Sequence, residues 1–346
     1  MTLLARSFPA LSMVPHVPLA QTTPVERLDA LCEESGAEVW VKRDDRTATL
    51  YGGNKVRKLE FLLGDARQRG AKTLVTAGAW GSHHVLATTL FGTKWGFDVH
   101  AVMVPQPLTP HAENNLRCVA GAGATLHPVR NWVATTPTVA ALVASLNRAE
   151  GSAYRVAYGG SSVVGALGFV EAGLELAAQI ARGECPEPDA IYVPLGSGGT
   201  AAGLAVGLAA AGLTTEVIAV RVTPLIVCNR ATVTALVVGI LRHLRALEIS
   251  FPSVRRAALG QLRIDGSFFG AGYGERDPAA ERASEWAAKV GLSVDPTYTS
   301  KSLAALMRDA SGARRGQRLL FWLTLSSADL SDRVKSAPPL PDFARR

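Results

Sequence analysis

The chain has 346 residues, enough for a large core and about two domains, and its 48% hydrophobic and 19% charged residues exclude a disordered protein. The net charge of +7 permits nucleic-acid or membrane contact, but the basic residues are dispersed and aromatic residues make up only 6%. We therefore expect a small anionic ligand and neither a nucleic-acid nor a membrane partner.

The cysteines and the N-terminus indicate an ordinary intracellular protein. The four cysteines have neither the spacing of a zinc site nor that of a disulfide framework. Pro9 and Pro15 interrupt the N-terminal apolar residues, which argues against a signal peptide. The apolar stretch 217–241 contains Arg221, Pro224 and Arg230, so it predicts a buried strand and a helix rather than a membrane span. We expect a cytoplasmic homodimer.

Strands and helices alternate along the chain in the order typical of parallel sheets. A short helix is predicted to begin at Pro24, and the final residues, with Pro338, Pro339 and Pro341, are predicted to form a surface tail. Strands are predicted at 38–45, 72–76, 98–104, 126–129, 154–157, 190–195, 216–222 and 319–324. Helices are predicted at 54–69, 83–95, 110–121, 137–149, 163–182, 200–211, 228–247, 279–290 and 301–310. The sequence thus predicts an α/β protein with ligands at the carboxyl ends of its strands.

The stretch Gly52-Gly53-Asn54-Lys55 precedes a helical pattern of apolar residues. Two glycines allow a tight turn, and Asn54 is a residue type that caps helices. Lys55 then lies in the first helical turn, where its amine projects beside backbone N–H groups suited to an anion. We interpret Lys55 as a Schiff-base lysine, although surface exposure is the commoner fate of a single lysine.

A second glycine-rich segment, Gly196-Ser197-Gly198-Gly199-Thr200, follows an apolar strand and precedes a helix of small residues. Its N–H groups and hydroxyls are typical of a phosphate cradle, the alternative being a structural turn. A dinucleotide site needs an acidic residue at the end of the next strand, where Arg221 stands instead, and no lysine follows the glycines as in a P-loop. A monophosphate with a separate lysine remains, as pyridoxal 5'-phosphate requires.

Three further groups are candidates for the substrate side. Ser82, His83 and His84 open a helix after a glycine turn and are predicted to lie on the substrate side, where the Ser82 hydroxyl and the backbone amides would receive a substrate carboxylate. At most one imidazole is expected to face the cofactor, and the alternative is one capping and one packed histidine. Tyr273 and Tyr298 stand in turn-rich loops, where a phenol is able to move a proton, although an isolated tyrosine is more often structural. Lys42 has charged neighbours, which suggests an ion pair.

These segments resemble the 1-aminocyclopropane-1-carboxylate (ACC) deaminase and D-cysteine desulfhydrase family of pyridoxal-phosphate enzymes. The resemblance runs from about residue 15 to 330. The motifs that carry it are VWVKRDD (39–45), GGNKVRKLE (52–60), GGSSVVGALG (159–168), LGSGGTAAGL (195–204), GYG (272–274) and DPTYTSK (295–301).

The resemblance implies fold type II, the tryptophan synthase β-like fold, with the cofactor between two open twisted α/β domains. The larger domain would comprise 1–52 and 160–346, and the smaller 53–159. Lys55 would carry the cofactor with Asn54 beside it, and the loop 196–200 would bind its phosphate. Tyr273 and Tyr298 would line the substrate side.

The chain departs from this family at three places. His83 occupies the position of an asparagine that bonds the cofactor's phenolic oxygen, and Leu86 that of an arginine. The usual H-T-G-G is replaced by LTLS (323–326). Thr324 keeps the hydroxyl that the family places near the cofactor's pyridine nitrogen. Thr299 stands where ring-opening deaminases carry glutamate. This last difference favours D-cysteine-type elimination over cyclopropane opening.

We therefore hypothesise a lyase that deaminates a small amino acid by α,β-elimination, giving a 2-oxo acid and ammonia. Lys55 would remove the α-proton, Ser82 would help to hold the carboxylate, and Tyr298 or Tyr273 would assist proton transfer. A β-replacement synthase, a racemase and an ACC deaminase remain alternatives. A degenerate member that binds the cofactor without catalysis is an alternative from another class.

Overall fold

The structure, a computed structural model, describes residues 1–149, 151–270, 272–275 and 277–345. Its strands are β1 (Val25–Arg27), β2 (Glu38–Lys42), β3 (Thr73–Ala79), β4 (Asp98–Val104), β5 (Thr125–Pro128), β6 (Ala153–Arg155), β7 (Ala190–Leu195), β8 (Glu216–Arg221), β9 (Leu262–Asp265) and β10 (Arg318–Trp322). Its helices are α1 (Leu3–Ser7), α2 (Asp29–Ser35), α3 (Asn54–Gln68), α4 (His83–Lys94), α5 (Pro110–Gly121), α6 (Trp132–Ala149), α7 (Val163–Ala181), α8 (Gly199–Ala210), α9 (Arg230–Leu247), α10 (Arg255–Gln261), α11 (Pro278–Lys289), α12 (Thr299–Ala310) and α13 (Ser331–Ser336).

The chain forms two compact units, and the first is built on a six-stranded sheet. Unit 1 comprises Met1–Val14, Ala20–Lys58 and Ser161–Ser327, and its strand order is β1-β2-β10-β7-β8-β9. All neighbours are parallel except β1 and β2. Every residue of β7 is buried, as expected for a central parallel strand covered on both faces. Because β2, β10 and β7 are adjacent and parallel, the segments that follow them meet at one edge of the sheet.

Unit 2 is built on a four-stranded parallel sheet with the order β5-β4-β3-β6. It comprises Pro15–Leu19, Leu59–Gly160 and Ala328–Arg346. The guanidinium of Arg117 donates to the carbonyls of Val334 and Pro338, which fixes the C-terminal segment to this unit. The two parallel-sheet units confirm the predicted α/β class, while the predicted domain boundaries at 52/53 and 159/160 stay a prediction.

Several local predictions were wrong. Val25–Arg27 is a strand rather than the start of a helix, because its backbone pairs with β2 and covers that edge. Helix α6 begins at Trp132 and contains Pro137, which has no N–H to donate to the carbonyl of exposed Val133. Helices α1, α10 and α13 and strand β9 were not predicted from the sequence.

Helix α7 passes the length and composition test for a membrane span. However, two thirds of its most apolar window is buried. Its backbone packs closely against α8, where a Cβ on Gly203 or Gly207 would lie 2.4 Å from the carbonyl oxygen of Ala166 or Val170. Small residues thus allow a close helix pair, and α7 occupies the position of a core helix in unit 1.

Candidate active site

Gly52 and Gly53, just before Lys55, each lie against a backbone carbonyl that a larger residue would clash with. A Cβ on Gly52 would lie 1.9 Å from the carbonyl oxygen of Asp45. Gly53 has φ of +87°, and a Cβ there would lie 2.7 Å from the carbonyl oxygen of Thr324. That carbonyl also accepts the N–H of Asn54, the first residue of α3, at 3.1 Å. The turn is therefore held against the end of β10, and it sets where α3 begins.

Ser326 supports the same turn and gives a role to one of the departures in the sequence. Its hydroxyl accepts the N–H of Gly52 at 2.8 Å. The changed segment 323–326 therefore still holds the loop that carries Lys55. The side chain of Asn54 points to the phosphate loop, with its amide 3.4 Å from the hydroxyl of Thr200.

A buried ion-pair network holds the first turn of α3. Arg57 donates to Asp44 at 2.7 Å and to Glu175 of α7 at 2.9 Å, and Lys42 pairs with Glu175 at 2.5 Å. Trp322 of β10 donates to Asp44 at 2.7 Å. Arg57 and Lys42 hold the pKa of Glu175 at about 2 although burial opposes its ionisation. The predicted ion-pair role of Lys42 is confirmed, with Glu175 as its partner.

The amine of Lys55 is the chemically unusual group of this turn. The side chain is partly accessible, yet surrounding protein atoms remove enough water to lower its pKa from 10.5 to about 8. The carboxylate of Asp295 acts in the opposite direction and limits this fall. An amine with such a pKa is partly neutral near neutral pH, the form that attacks an aldehyde or accepts a proton.

Lys58 brings a second amine to the phosphate loop. This role of Lys58 was not predicted from the sequence. Its Nζ donates to the hydroxyl of Ser161 at 3.1 Å. That hydroxyl lies 2.7 Å from the hydroxyl of Ser197 and accepts the N–H of Gly199 at 3.0 Å. Burial and the nearby charge of Lys55 lower the pKa of Lys58 well below its usual range. The motifs GGNKVRKLE and GGSSVVGALG contain Lys58 and Ser161, and their shared basic and hydroxyl residues were the available signal.

The loop 196–200 has the features of a phosphate cradle. Gly198 adopts φ of +89° and is the N-cap residue of α8, so the first N–H groups of this 12-residue helix lie at the loop. A Cβ on Gly199 would lie 2.6 Å from the hydroxyl of Ser161, so glycine admits that hydroxyl. Two neighbouring amines with depressed pKa values favour an anion, which would restore their charge. These residues fit the monophosphate of pyridoxal phosphate.

Tyr298 and Tyr273 form a pair in unit 1. Their hydroxyl oxygens are 2.5 Å apart, and burial raises the pKa of both phenols. The ring of Tyr298 lies against the phosphate loop, since a Cβ on Gly196 would be 3.2 Å from it. Asp295 accepts the N–H of Tyr298 at 2.8 Å and the hydroxyl of Thr299 at 2.6 Å. The turn before α12 thus fixes the phenol beside the loop.

The structure places Ser82, His83 and His84 in unit 2. Ser82 caps α4 and accepts the N–H of Val85 at 3.3 Å. His84 is buried, and its Nε2 lies 3.2 Å from the hydroxyl of Thr76. The ring of His83 lies 4.6 Å from that of His111. Substrate binding by these three residues stays a prediction.

Comparison with known proteins decides the family. The model of pyridoxal-phosphate-dependent enzymes matches residues 18–324.

The chain belongs to this family of pyridoxal-phosphate-dependent enzymes. It is 36% identical to nocardicin C-9' epimerase of Nocardia uniformis subsp. tsuyamanensis, over 94% of this chain and 97% of that protein. It is 35% identical to D-cysteine desulfhydrase of Salmonella paratyphi C (strain RKS4594), over 89% of this chain and 90% of that protein. The structure of an ACC deaminase homologue matches with a TM-score of 0.77 and 27% identity, covering 95% and 98% of the two chains. The predicted cofactor class and fold type II are confirmed.

Proposed function

We propose that this pyridoxal-phosphate enzyme is a deaminating lyase that catalyses α,β-elimination on a small amino acid. The observation that carries the proposal is the phenol pair against the phosphate loop, because both phenols stay protonated at neutral pH. A protonated phenol is able to donate a proton to a departing β-substituent. D-Cysteine desulfhydrase, at 35% identity, supports a thiol as that substituent.

The chain's own residues divide the remaining work. Lys58, Ser161 and the loop 196–200 would hold the cofactor's phosphate, and Lys55 would attach the cofactor and remove the α-proton. Ser82 with the first amides of α4 would bind the substrate carboxylate, with His83 and His84 nearby. When bound, pyridoxal phosphate supplies an electron sink for the negative charge left at the α-carbon. For D-cysteine and water the products would be sulfide, pyruvate and ammonia.

The first test locates the cofactor. Borohydride reduction of the holoenzyme followed by peptide mass spectrometry should find the pyridoxyl group on Lys55. The variant Lys55→Ala should lose the visible absorption band and the label, while Lys289→Ala, which changes an exposed lysine of α11, should keep both. A label on another lysine of the wild-type enzyme would contradict the assigned site.

The second test identifies the reaction with a panel of D- and L-amino acids that includes D-cysteine. Release of a 2-oxo acid and ammonia from one member would support elimination. Tyr298→Phe should reduce this release by about 100-fold or more, since it removes a general acid. Exchange of the α-proton with solvent deuterium should persist in the variant, because Lys55 is intact. Equal loss of exchange and release would contradict a role in leaving-group protonation.

Epimerisation is a second candidate, supported by the 36% identity to nocardicin C-9' epimerase. It would share proton removal by Lys55, but a proton would return to the opposite face of the α-carbon. With the same panel in deuterated solvent, chiral chromatography and mass spectrometry would then show inverted substrate that carries deuterium and no oxo acid.

A homodimer and a cytoplasmic location stay predictions, which sedimentation velocity and cell fractionation would test.

A further inference from the structure

Five arginines gather along helices α9 and α10 of unit 1, and the family motifs do not include this region. They line two cavities of about 540 and 200 Å³ that share Ser253 and Arg255. We call this surface the arginine groove. Its arginines are Arg230, Arg242, Arg245, Arg255 and Arg256.

The groove has an excess of positive charge. Among the residues that the structure describes, none that lines either cavity is acidic. Across the residues the structure describes, no ion pair involves Arg242, Arg245, Arg255 or Arg256. Elsewhere in unit 1 many arginines do pair with carboxylates, as Arg308 does with Asp265 and Arg314 with Glu216. Cations collected without counter-charges repel one another, and a bound anion would remove that repulsion.

The arrangement suits an anion with several charges. Arg242 and Arg245 are three residues apart on α9, which separates them by about 4.5 Å along the axis. Arg255 and Arg256 approach from the start of α10, while Arg230 donates to the carbonyls of Leu259 and Leu262 and is already engaged. Guanidinium groups match phosphate oxygens in a bidentate geometry. A chain of linked phosphates would meet several of them in turn.

The lining of the groove is apolar as well as charged. The larger cavity is an open surface depression, so a ligand would lie along the arginines rather than be enclosed by them. Leu259 contributes an apolar surface in the larger cavity, and Leu241 and Val238 do so in the smaller. Apolar walls beside the arginines would accommodate the base of a nucleotide, on which a guanidinium is also able to stack.

We propose that the arginine groove is an oligophosphate-binding site whose ligand is a nucleoside triphosphate, separate from the cofactor's phosphate site. The cofactor takes a single phosphate at the loop 196–200, whereas the groove would take several linked phosphates on α9 and α10. Because the two sites use different residues, the cofactor and the nucleotide would bind together.

The test uses holoenzyme, so that pyridoxal phosphate already fills its own site. Isothermal titration at about 0.1 M salt would measure binding of tripolyphosphate, ATP and a 20-nucleotide RNA to the wild-type protein. The double variant Arg242→Gln/Arg255→Gln should weaken tripolyphosphate and ATP binding at least tenfold. The matched control Arg282→Gln changes an exposed arginine of α11 and should leave the affinity unchanged.

Saturable binding of one ATP per chain, tighter than tripolyphosphate and lost in the double variant, would support the proposal. Equal affinities for the two would overturn the nucleoside part and leave inorganic oligophosphate as the ligand. Three results would overturn the site itself: no saturable binding, an equal loss in Arg282→Gln, or binding of RNA alone. Unchanged visible spectra and circular dichroism would show that the variants fold and keep the cofactor.

Discussion

Lys55 shows how position alone changes the chemistry of a common side chain. At pH 7 a lysine with the usual pKa of 10.5 is almost entirely protonated. With a pKa of about 8, the neutral fraction of Lys55 is roughly 300 times larger. The sequence indicated this residue from the glycines before it and the phosphate loop far along the chain. The sequence did not indicate that the amine of Lys55 loses its water. The groups around Lys55, such as Asp295, come from distant parts of the chain.

The pH dependence of cofactor attachment tests this pKa. Attachment requires the neutral amine, so the rate of reconstitution of apoenzyme should rise about tenfold per pH unit below 8 and level off above it. Stopped-flow absorbance at the visible band would record the rate between pH 6 and 10. A rate that keeps rising to pH 10 would show that the amine has an ordinary pKa.

Asp295 offers a second test at the residue scale. Its carboxylate accepts the N–H groups of Tyr298 and Thr299, and its charge favours the protonated form of Lys55. Asp295→Asn should therefore shift the reconstitution profile to lower pH. Asp277 caps α11 in the same way, so Asp277→Asn is a matched control that should leave the profile in place. An unshifted profile in Asp295→Asn would remove its proposed effect on Lys55.

At the level of elements, the sequence predicted most of the helices and central strands but not the ties between them. The apolar runs of β7 and β10 and the small-residue helix α8 were readable from local composition. Arg57 and Glu175 were not, since 118 positions separate two charges that meet only after α3 and α7 pack. Strand β1 was predicted as a helix for a similar reason, because its pairing with β2 outweighs the helical spacing of its residues.

The network of Arg57, Asp44, Glu175 and Lys42 should make stability depend on pH. The pKa of Glu175 falls from 4.5 to about 2 on folding, so its contribution is complete above about pH 4.5 and is lost as pH falls towards 2. The shift corresponds to about 3 kcal/mol. Denaturant unfolding between pH 5 and 2 should show a shallower decline in Glu175→Gln than in wild type.

The matched control for this measurement is Glu33→Gln, which changes an exposed residue of α2. It should keep the wild-type slope. Glu175→Gln should also be less stable at pH 7 by about 3–5 kcal/mol, because Arg57 and Lys42 lose a buried partner. Identical slopes in all three proteins would mean that Glu175 does not carry the acid sensitivity.

At the scale of the whole molecule, the residues of the candidate cofactor site come from unit 1. Lys55, Lys58, Ser161, the loop 196–200 and Tyr298 all lie in unit 1. These segments were predicted one by one from their local patterns, and the parallel order β2-β10-β7 explains why the segments that follow these strands meet at one sheet edge. The contribution of Ser82, His83 and His84, which lie in unit 2, rests on sequence alone.

Removal of the cofactor should therefore loosen unit 1 selectively. A ligand that binds only the folded state stabilises the segments that hold it. Hydrogen exchange followed by mass spectrometry should be faster in apoenzyme than in holoenzyme at 52–58, 161–165 and 196–204. Strands β3 and β4 of unit 2 serve as an internal control and should exchange at equal rates in both forms. Faster exchange confined to β3 and β4 would contradict the assignment of the phosphate and lysine sites to unit 1.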